Sequence, residues 1–430
     1  MKMKGIYKVA VAVAMCVMPT ACRLPVAGYG DLSGTVTDAS TGSPLEEAAV
    51  VYGDSAVYTS MSGSYVYSGL PDGLQGVWFR KDGYYSVMRQ VGIPDGGSVQ
   101  CDVALELVQA GWAVGLNDSG YGAILHSDDG GRSWVRQGTP AQIPDVRLTS
   151  VSVADDMTCW AAGDVDTVGH RTVILKTEDG GMTWSSQSVS GLSPVSISSI
   201  VAQDADTAWA VCADTCLVLK TENGGSSWNV AYESSSVLSY TAVSVVGTEV
   251  WVCGSGRSGG VVVEYTRDGG SAWSTFNVDA AYAMQSPSSI CAVPGGTVFL
   301  AGTNAMGILR SDDGGATWRS VLSTDADMRA LDAYDGAIAW AGGGRGSFFL
   351  TVDGFQTNIS LSPAGAQYAD GTVTSVSFLR DGTSGVFSVI SQTGETGSIY
   401  HTSDGGQTWS QSTVPFEFSI ESVDFVGGYN

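Results

Sequence analysis

The stretch Ser127-Asp128-Asp129-Gly130-Gly131-Arg132-Ser133-Trp134 decides the fold, because its pattern returns six more times along the chain. The pattern is Ser or Thr, any residue, Asp or Asn, any residue, Gly, any residue, then Ser, Thr or Ala, and Trp. The other copies occupy residues 177–184, 221–228, 266–273, 311–318, 351–358 and 402–409. Their last residues are separated by 50, 44, 45, 45, 40 and 51 positions. A period of about 40 to 50 residues marks a blade-by-blade or solenoid architecture.

The chemistry of the box is that of a tight turn. The Ser127 hydroxyl and the Asp129 carboxylate can accept backbone N–H groups inside it, and Gly130 and Gly131 can take positive φ without a Cβ clash. Trp134 then leaves the turn as an apolar plug between blades. Asp179, Asn223, Asp268, Asp313, Asp353 and Asp404 hold the position of Asp129 and are read as structural. The sixth copy has Phe355 for Gly and Asn358 for Trp, which predicts a looser turn. The box resembles the Asp-box of bacterial neuraminidase repeats, a hairpin turn between the third and fourth strands of propeller blades.

A second aromatic precedes each box, at Trp112, Trp160, Trp209, Trp251, Phe299, Trp340 and Phe387, usually within a run like Gly111-Trp112-Ala113-Val114-Gly115. Each unit also carries an alternating run such as Ser150-Val151-Ser152-Val153 or Ser375-Val376-Ser377-Phe378, whose period of two marks a half-buried strand. One blade therefore reads as four strands. The first box lacks the earliest of the four, and the chain ends on a spare one around Ser422-Val423-Asp424-Phe425. Splicing that end onto Trp112 completes a seven-bladed ring with no open edge at the seam. The phrases Gly-Trp-Ala-Val-Gly and Asp313-Gly314-Gly315-Ala316-Thr317-Trp318 make residues 111–430 resemble the photosystem II assembly and stability factor type of propeller. That resemblance implies a binding scaffold without chemistry.

Residues 30–107 form a separate unit of short alternating strands with Gly34-Thr35-Val36-Thr37-Asp38, Gly63-Ser64-Tyr65 and Lys81-Asp82-Gly83-Tyr84 among them. It resembles the carboxypeptidase regulatory-like, transthyretin-type β-sandwich. The expected fold class is thus all-β, a seven-bladed β-propeller with an N-terminal β-sandwich. With 57 glycines among 430 residues, the composition agrees. Residues 1–21 differ: Lys2, Lys4 and Lys8 precede an apolar run over residues 9–17, as in a secretory signal peptide too short to span a membrane. Pro19-Thr20-Ala21-Cys22 resembles a bacterial lipobox, implying lipidation of Cys22 on a tether of residues 22–29 and a place in the cell envelope. Ordinary secretion is the alternative.

Losing the leader's three lysines takes the formal net charge from −23 to −26. Nucleic acid demands a basic patch, so it is excluded as a partner, and any membrane tie is the lipid anchor. Cysteine spacing shows no zinc pattern, and no cofactor or metal is expected; whether Cys212 and Cys216 pair is left open. His126 and His401 take the pre-box position held elsewhere by Lys176, Lys220 and Arg310, and read as repeat-surface residues.

A sialidase-like or other glycosidase is the alternative to a scaffold. Seven repeats fit poorly with six-bladed sialidases, and no pair of carboxylates is singled out. The twelve tryptophans are all used, six in boxes, five in the upstream runs and Trp78 in the sandwich. Tyr121, Tyr240, Tyr282 and Tyr368 are left to face a glycan. The expected partner is an envelope or extracellular protein, or a glycan, bound by a monomer. The expected ligand face is the rim opposite the boxes, carrying Arg147, Arg257, Arg329, Arg345, Tyr240, Tyr282 and Glu421. Where other blades have Thr or Ser (Thr149, Ser198, Thr241, Ser288, Thr374), two have Arg329 and Glu421, and these either flank the channel mouth or pair with each other.

Overall fold

A computed structural model describes residues 28–426, apart from residues 40, 54, 82–83, 118–119, 167–170, 190–191, 279–285, 304–306, 362–369, 380–381, 392–395 and 416–417. The leader and Cys22 lie outside the described residues. The chain divides between Val108 and Gln109 into two compact units, and the fold is all-β.

In the N-terminal unit, one sheet joins Tyr29–Asp38 to Ser64–Pro71, Ser98–Gln100 and Val103–Leu105. The other orders Ser55–Tyr58, Ala49–Tyr52, Gly73–Arg80 and Val87–Ile93. Alternation along each strand sends Leu32, Val36, Val50, Tyr65, Phe79 and Leu105 into one core between the sheets, as a sandwich requires. Tyr65 meets Phe79 edge-on at 5.7 Å.

The second unit holds seven four-stranded antiparallel sheets, the blades of the propeller. Six are built from consecutive strands. In the first, Gly111–Asn117, Gly122–Ser127 and Val135–Gln137 are completed by Phe418–Phe425 from the far end of the chain, which pairs with Gly111–Asn117. The innermost strands of blades two to seven are Leu148–Val153, Ile197–Ala202, Val237–Val246, Pro287–Val293, Met328–Ala333 and Thr372–Phe378.

The boxes form the turns between third and outer strands. In all seven, the first residue's hydroxyl donates to the Asp or Asn side chain at 2.7–3.1 Å and accepts the N–H four residues on at 2.7–3.1 Å. The acid or amide in turn accepts the N–H of the seventh box residue at 2.8–3.0 Å. Hydrogen bonds from the Thr317 hydroxyl and N–H hold the Asp313 carboxyl below the usual carboxylate range. The sixth turn keeps the same bonds, so it is not looser as expected. Phe355 sits at φ 64° and buries its ring edge-on to Phe299 of the fifth blade.

The upstream aromatic explains that exchange. Four second-strand rings, Trp160, Trp209, Trp251 and Trp340, lean on the second box glycine of the next blade: a Cβ on Gly225 would lie 2.9 Å from the Trp160 ring, and one on Gly315 2.9 Å from Trp251. Blade five carries Phe299 in place of Trp, which leaves room for Phe355. Gly225→Ala, combining φ +88° with this contact, is expected to cost about 1–3 kcal/mol in denaturant unfolding. Phe387 does not belong to this set. Register pairs Trp112 with His126 but Phe387 with Tyr400, so Val386 takes the equivalent place against Gly131, and the period of two turns Phe387 to the other face.

The pre-box residues also differ from the surface reading. Lys176 is buried, with its ammonium 4.6 Å from the centre of the Trp160 ring and bonded to Gly224 O of the next box; Lys220 repeats this over Trp209, and His126 packs on Trp112 at 4.5 Å. The two lysines tie one blade to the next, whereas His126 packs within its own blade. Cys212 and Cys216 are both free thiols, Cys212 buried.

Candidate functional site at the inner-strand bulges

Each inner strand carries a one-residue register shift against its neighbour, and in all seven blades the extra residue is the same one: Glu421, Thr149, Ser198, Thr241, Ser288, Arg329 and Thr374. A bulge re-aims its side chain out of the ladder. These seven residues and the two that follow each of them line the cavity of about 150 Å³ at the centre of the propeller. The bulges lie at the start of the inner strands. The boxes lie at the other end, where each donates a glycine N–H to a carbonyl just ahead of its blade's second strand, such as Gly180 to Met157 O at 2.9 Å.

All five hydroxyls in this ring are taken up by backbone carbonyls, four of them in the next blade. Thr149 donates to Ile197 O at 2.7 Å, Ser198 to Tyr240 O at 3.0 Å, Ser288 to Met328 O at 2.5 Å and Thr374 to Ile420 O at 2.8 Å, each reaching the next blade. Thr241 bonds Cys253 O of its own blade at 3.2 Å. The residue after the bulge adds stitches of its own: Ser150 accepts Ile200 N–H at 3.1 Å and Ser375 accepts Val423 N–H at 3.2 Å. Ser and Thr recur here because a short hydroxyl reaches a neighbouring backbone group that would otherwise be unsatisfied.

Two positions break the pattern. Glu421 pairs with Arg147 of the second blade in a bidentate contact, Nε to Oε1 at 2.9 Å and Nη2 to Oε2 at 2.7 Å, so the first-to-second junction is bridged by charge. This hydrogen bonding, above all, pushes the Arg147 guanidinium further up. The expected alternative of an Arg329–Glu421 pair is therefore corrected. Arg329 is exposed on the channel wall and makes no hydrogen bond or ion pair among the described residues.

The remaining candidates scatter. Arg257 is exposed in the turn between second and third strands of blade four, with Nη2 3.3 Å from Cys216 Sγ of blade three. Arg345 is exposed in the matching turn of blade six at φ 58°. Tyr282 and Tyr368 lie outside the described residues, and Tyr121 is exposed. Tyr240 is not on the rim at all. It immediately precedes the bulge, the core position that Leu148, Ile197, Met328, Val373 and Ile420 fill in other blades, and it is 1 % exposed. Its hydroxyl donates to the buried Glu264 carboxylate, which also accepts from Ser234 at 2.9 Å, Thr275 at 3.0 Å and Tyr232 at 3.2 Å. Aligning the seven inner strands on the bulge would have placed Tyr240 in the core; Glu264 left no sequence signal, standing alone in an apolar run.

Residues 85–236 and 199–362 match the family described as Photosynthesis system II assembly factor YCF48, and residues 31–106 match the carboxypeptidase regulatory-like domain. Among solved structures, YCF48 bound to D1 peptide shares 20 % identity over 65 % of this chain and 86 % of its own, with a TM-score of 0.50. YCF48 from Cyanidioschyzon merolae shares 19 % over 62 % and 84 %, with a TM-score of 0.47, and a protein from Lactobacillus plantarum 10 % over 74 % and 99 %, with a TM-score of 0.50. No curated protein matches the chain.

Proposed function

We propose, for a chain that belongs to the family of the Photosynthesis system II assembly factor YCF48, that it is a non-enzymatic scaffold which captures a protein partner on the rim opposite the boxes. The observation that carries this reading is Arg329: in a ring whose hydroxyls stitch blades and whose Glu421 is neutralised by Arg147, it is the cation left without a protein partner among the described residues. In a strongly acidic protein, such a group favours a carboxylate or other acceptor from outside. That the relative YCF48 was solved with a D1 peptide supports a protein segment as the class of partner.

The glycosidase reading finds a Tyr–Glu pair in Tyr240 and Glu264, but both are enclosed in the core, at 1 % and 0 % exposure, where no substrate reaches. Residues 1–21 and Cys22 are proposed to export the protein and anchor it in the cell envelope by an acyl chain. Labelling with a fatty-acid probe in wild type and Cys22→Ser tests that point.

Arg329→Ala is expected to weaken capture from envelope extract about tenfold or more while leaving the melting temperature unchanged, because the exposed side chain makes no hydrogen bond or ion pair among the described residues. Arg257→Ala with Arg345→Ala should reduce capture less. Equal capture by every variant would remove this rim as the binding face.

A further inference from the structure

Three residues beyond the bulge, in five of the seven inner strands, a second set of Ser and Asp side chains joins neighbouring blades. Ser152 accepts Ala202 N–H at 3.0 Å, Ser244 accepts Ala292 N–H at 3.0 Å and Ser377 accepts Phe425 N–H at 3.2 Å. Two blades use an acid at the same place. Asp332 Oδ2 accepts Phe378 N–H of blade seven at 2.6 Å, and Asp424 Oδ2 accepts Val153 N–H of blade two at 2.8 Å. Ser377, between them, donates to Asp424 Oδ1 at 3.1 Å. Blade seven and the closing strand Phe418–Phe425 are therefore held by a buried belt in which Asp332 makes the junction into blade seven and Asp424, on the closing strand itself, the junction out to blade two.

The two acids are not equivalent in their surroundings. Asp424 receives a hydroxyl and two N–H groups, from Ser377, Val153 and Phe425. Asp332, 2 % exposed, receives Phe378 N–H and its neighbour Ala333 N–H at 2.8 Å and, among the described residues, no hydroxyl and no cation. Strands packed against its own are Pro287–Val293, Thr297–Gly302, Ala339–Gly343 and Thr372–Phe378, and their one titratable side chain is Cys291, whose thiol burial pushes far up and keeps neutral. Asp424 is the other acid whose charge acts on Asp332. Among the described residues, an ionised carboxylate at Asp332 thus has no hydrogen bond or ion pair to a cation, and Arg329 on its own strand lines the channel.

We propose that the junction between the sixth and seventh blades is a proton-held latch, closed while the Asp332 carboxyl keeps its proton and weakened as that proton is lost. Burial first, with Asp424 adding to it, raises the Asp332 carboxyl from 3.8 to about 8. The sign follows from linkage. The folded chain holds a proton that an opened or unfolded chain gives up, so the hold of the latch is greatest near pH 4, falls as pH rises to about 8 and is level above that.

Native-state hydrogen exchange of the full chain between pH 5 and pH 9, corrected for intrinsic base catalysis, tests this. Protection of the 372–378 and 418–425 amides is expected to fall tenfold or more from pH 5 to pH 8, against little change in the inner strands of blades three and four. Asp332→Asn, and Asp332→Ser, which copies the Ser152, Ser244 and Ser377 junctions, should make the profile flat. Parallel profiles in wild type and either variant would overturn the latch. Should both variants fail to fold, the wild-type profile alone decides it, since protection that does not vary with pH contradicts the proposal. An infrared titration adds an independent reading: a carboxylic-acid band persisting at pH 6 is expected, and its absence in the wild type would equally overturn it.

Discussion

Deletion of residues 418–430 is expected to abolish cooperative unfolding of the propeller. The closing strand buries Phe418, Ile420, Val423 and Phe425 at 0–2 % exposure. At about 1.5–3 kcal/mol for each fully buried side chain, removing them forfeits on the order of 10 kcal/mol. That is comparable to the whole net stability of a typical domain, about 5–15 kcal/mol. The deletion also strips the edge of Gly111–Asn117, inviting association through unpaired backbone. Circular dichroism melting and light scattering would read both effects. A truncated chain that melts like the parent and stays monomeric would show that the seam contributes little.

Trp228→Ala carries the second large effect, about 3–5 kcal/mol. Its indole is 1 % exposed and meets Trp160 of the preceding blade edge-on, with ring centroids 5.5 Å apart and planes at 88°. Removing it opens a cavity at a blade junction where Gly225 has already brought backbone against the Trp160 ring, so little can collapse into the space. Urea unfolding measures the loss. A variant that lost partner capture at unchanged stability would make the box tryptophans recognition residues and not interblade plugs.

Much of the architecture could be read from local chemistry. A turn that needs a hydroxyl, an acid and two glycines leaves the same eight-residue trace wherever it occurs, so counting traces counts blades. Period-two runs mark strands in the same way. Even the sixth box, with Phe355 and Asn358, kept enough of the pattern to be counted, although its tightness depended on Phe299 in another blade.

The site was legible only in outline. The Thr and Ser positions that ring the channel stood out by recurrence, and Arg329 and Glu421 by departing from it, but recurrence did not say that each was a bulge. A single inserted residue reverses alternation, which is why Tyr240, one position earlier, belongs to the core while its neighbour Thr241 lines the channel. Phe387 was misplaced by one step of register, although its own strand pair carries no bulge, because the aromatic stands one residue past the Val386 that faces the neighbouring box.

What the sequence by itself determined, then, is the set of local units: seven blades, their turn chemistry, the sandwich pattern ahead of them and the spare strand at the chain's end. Tertiary structure alone decided which polar groups meet. Arg147 and Glu421 lie 274 positions apart, Asp332 and Phe378 lie 46 apart, and nothing near either residue in the chain announces its partner. Turn and strand propensities act over a few residues, whereas these pairings arise only when ring closure and the bulge bring separate inner strands side by side.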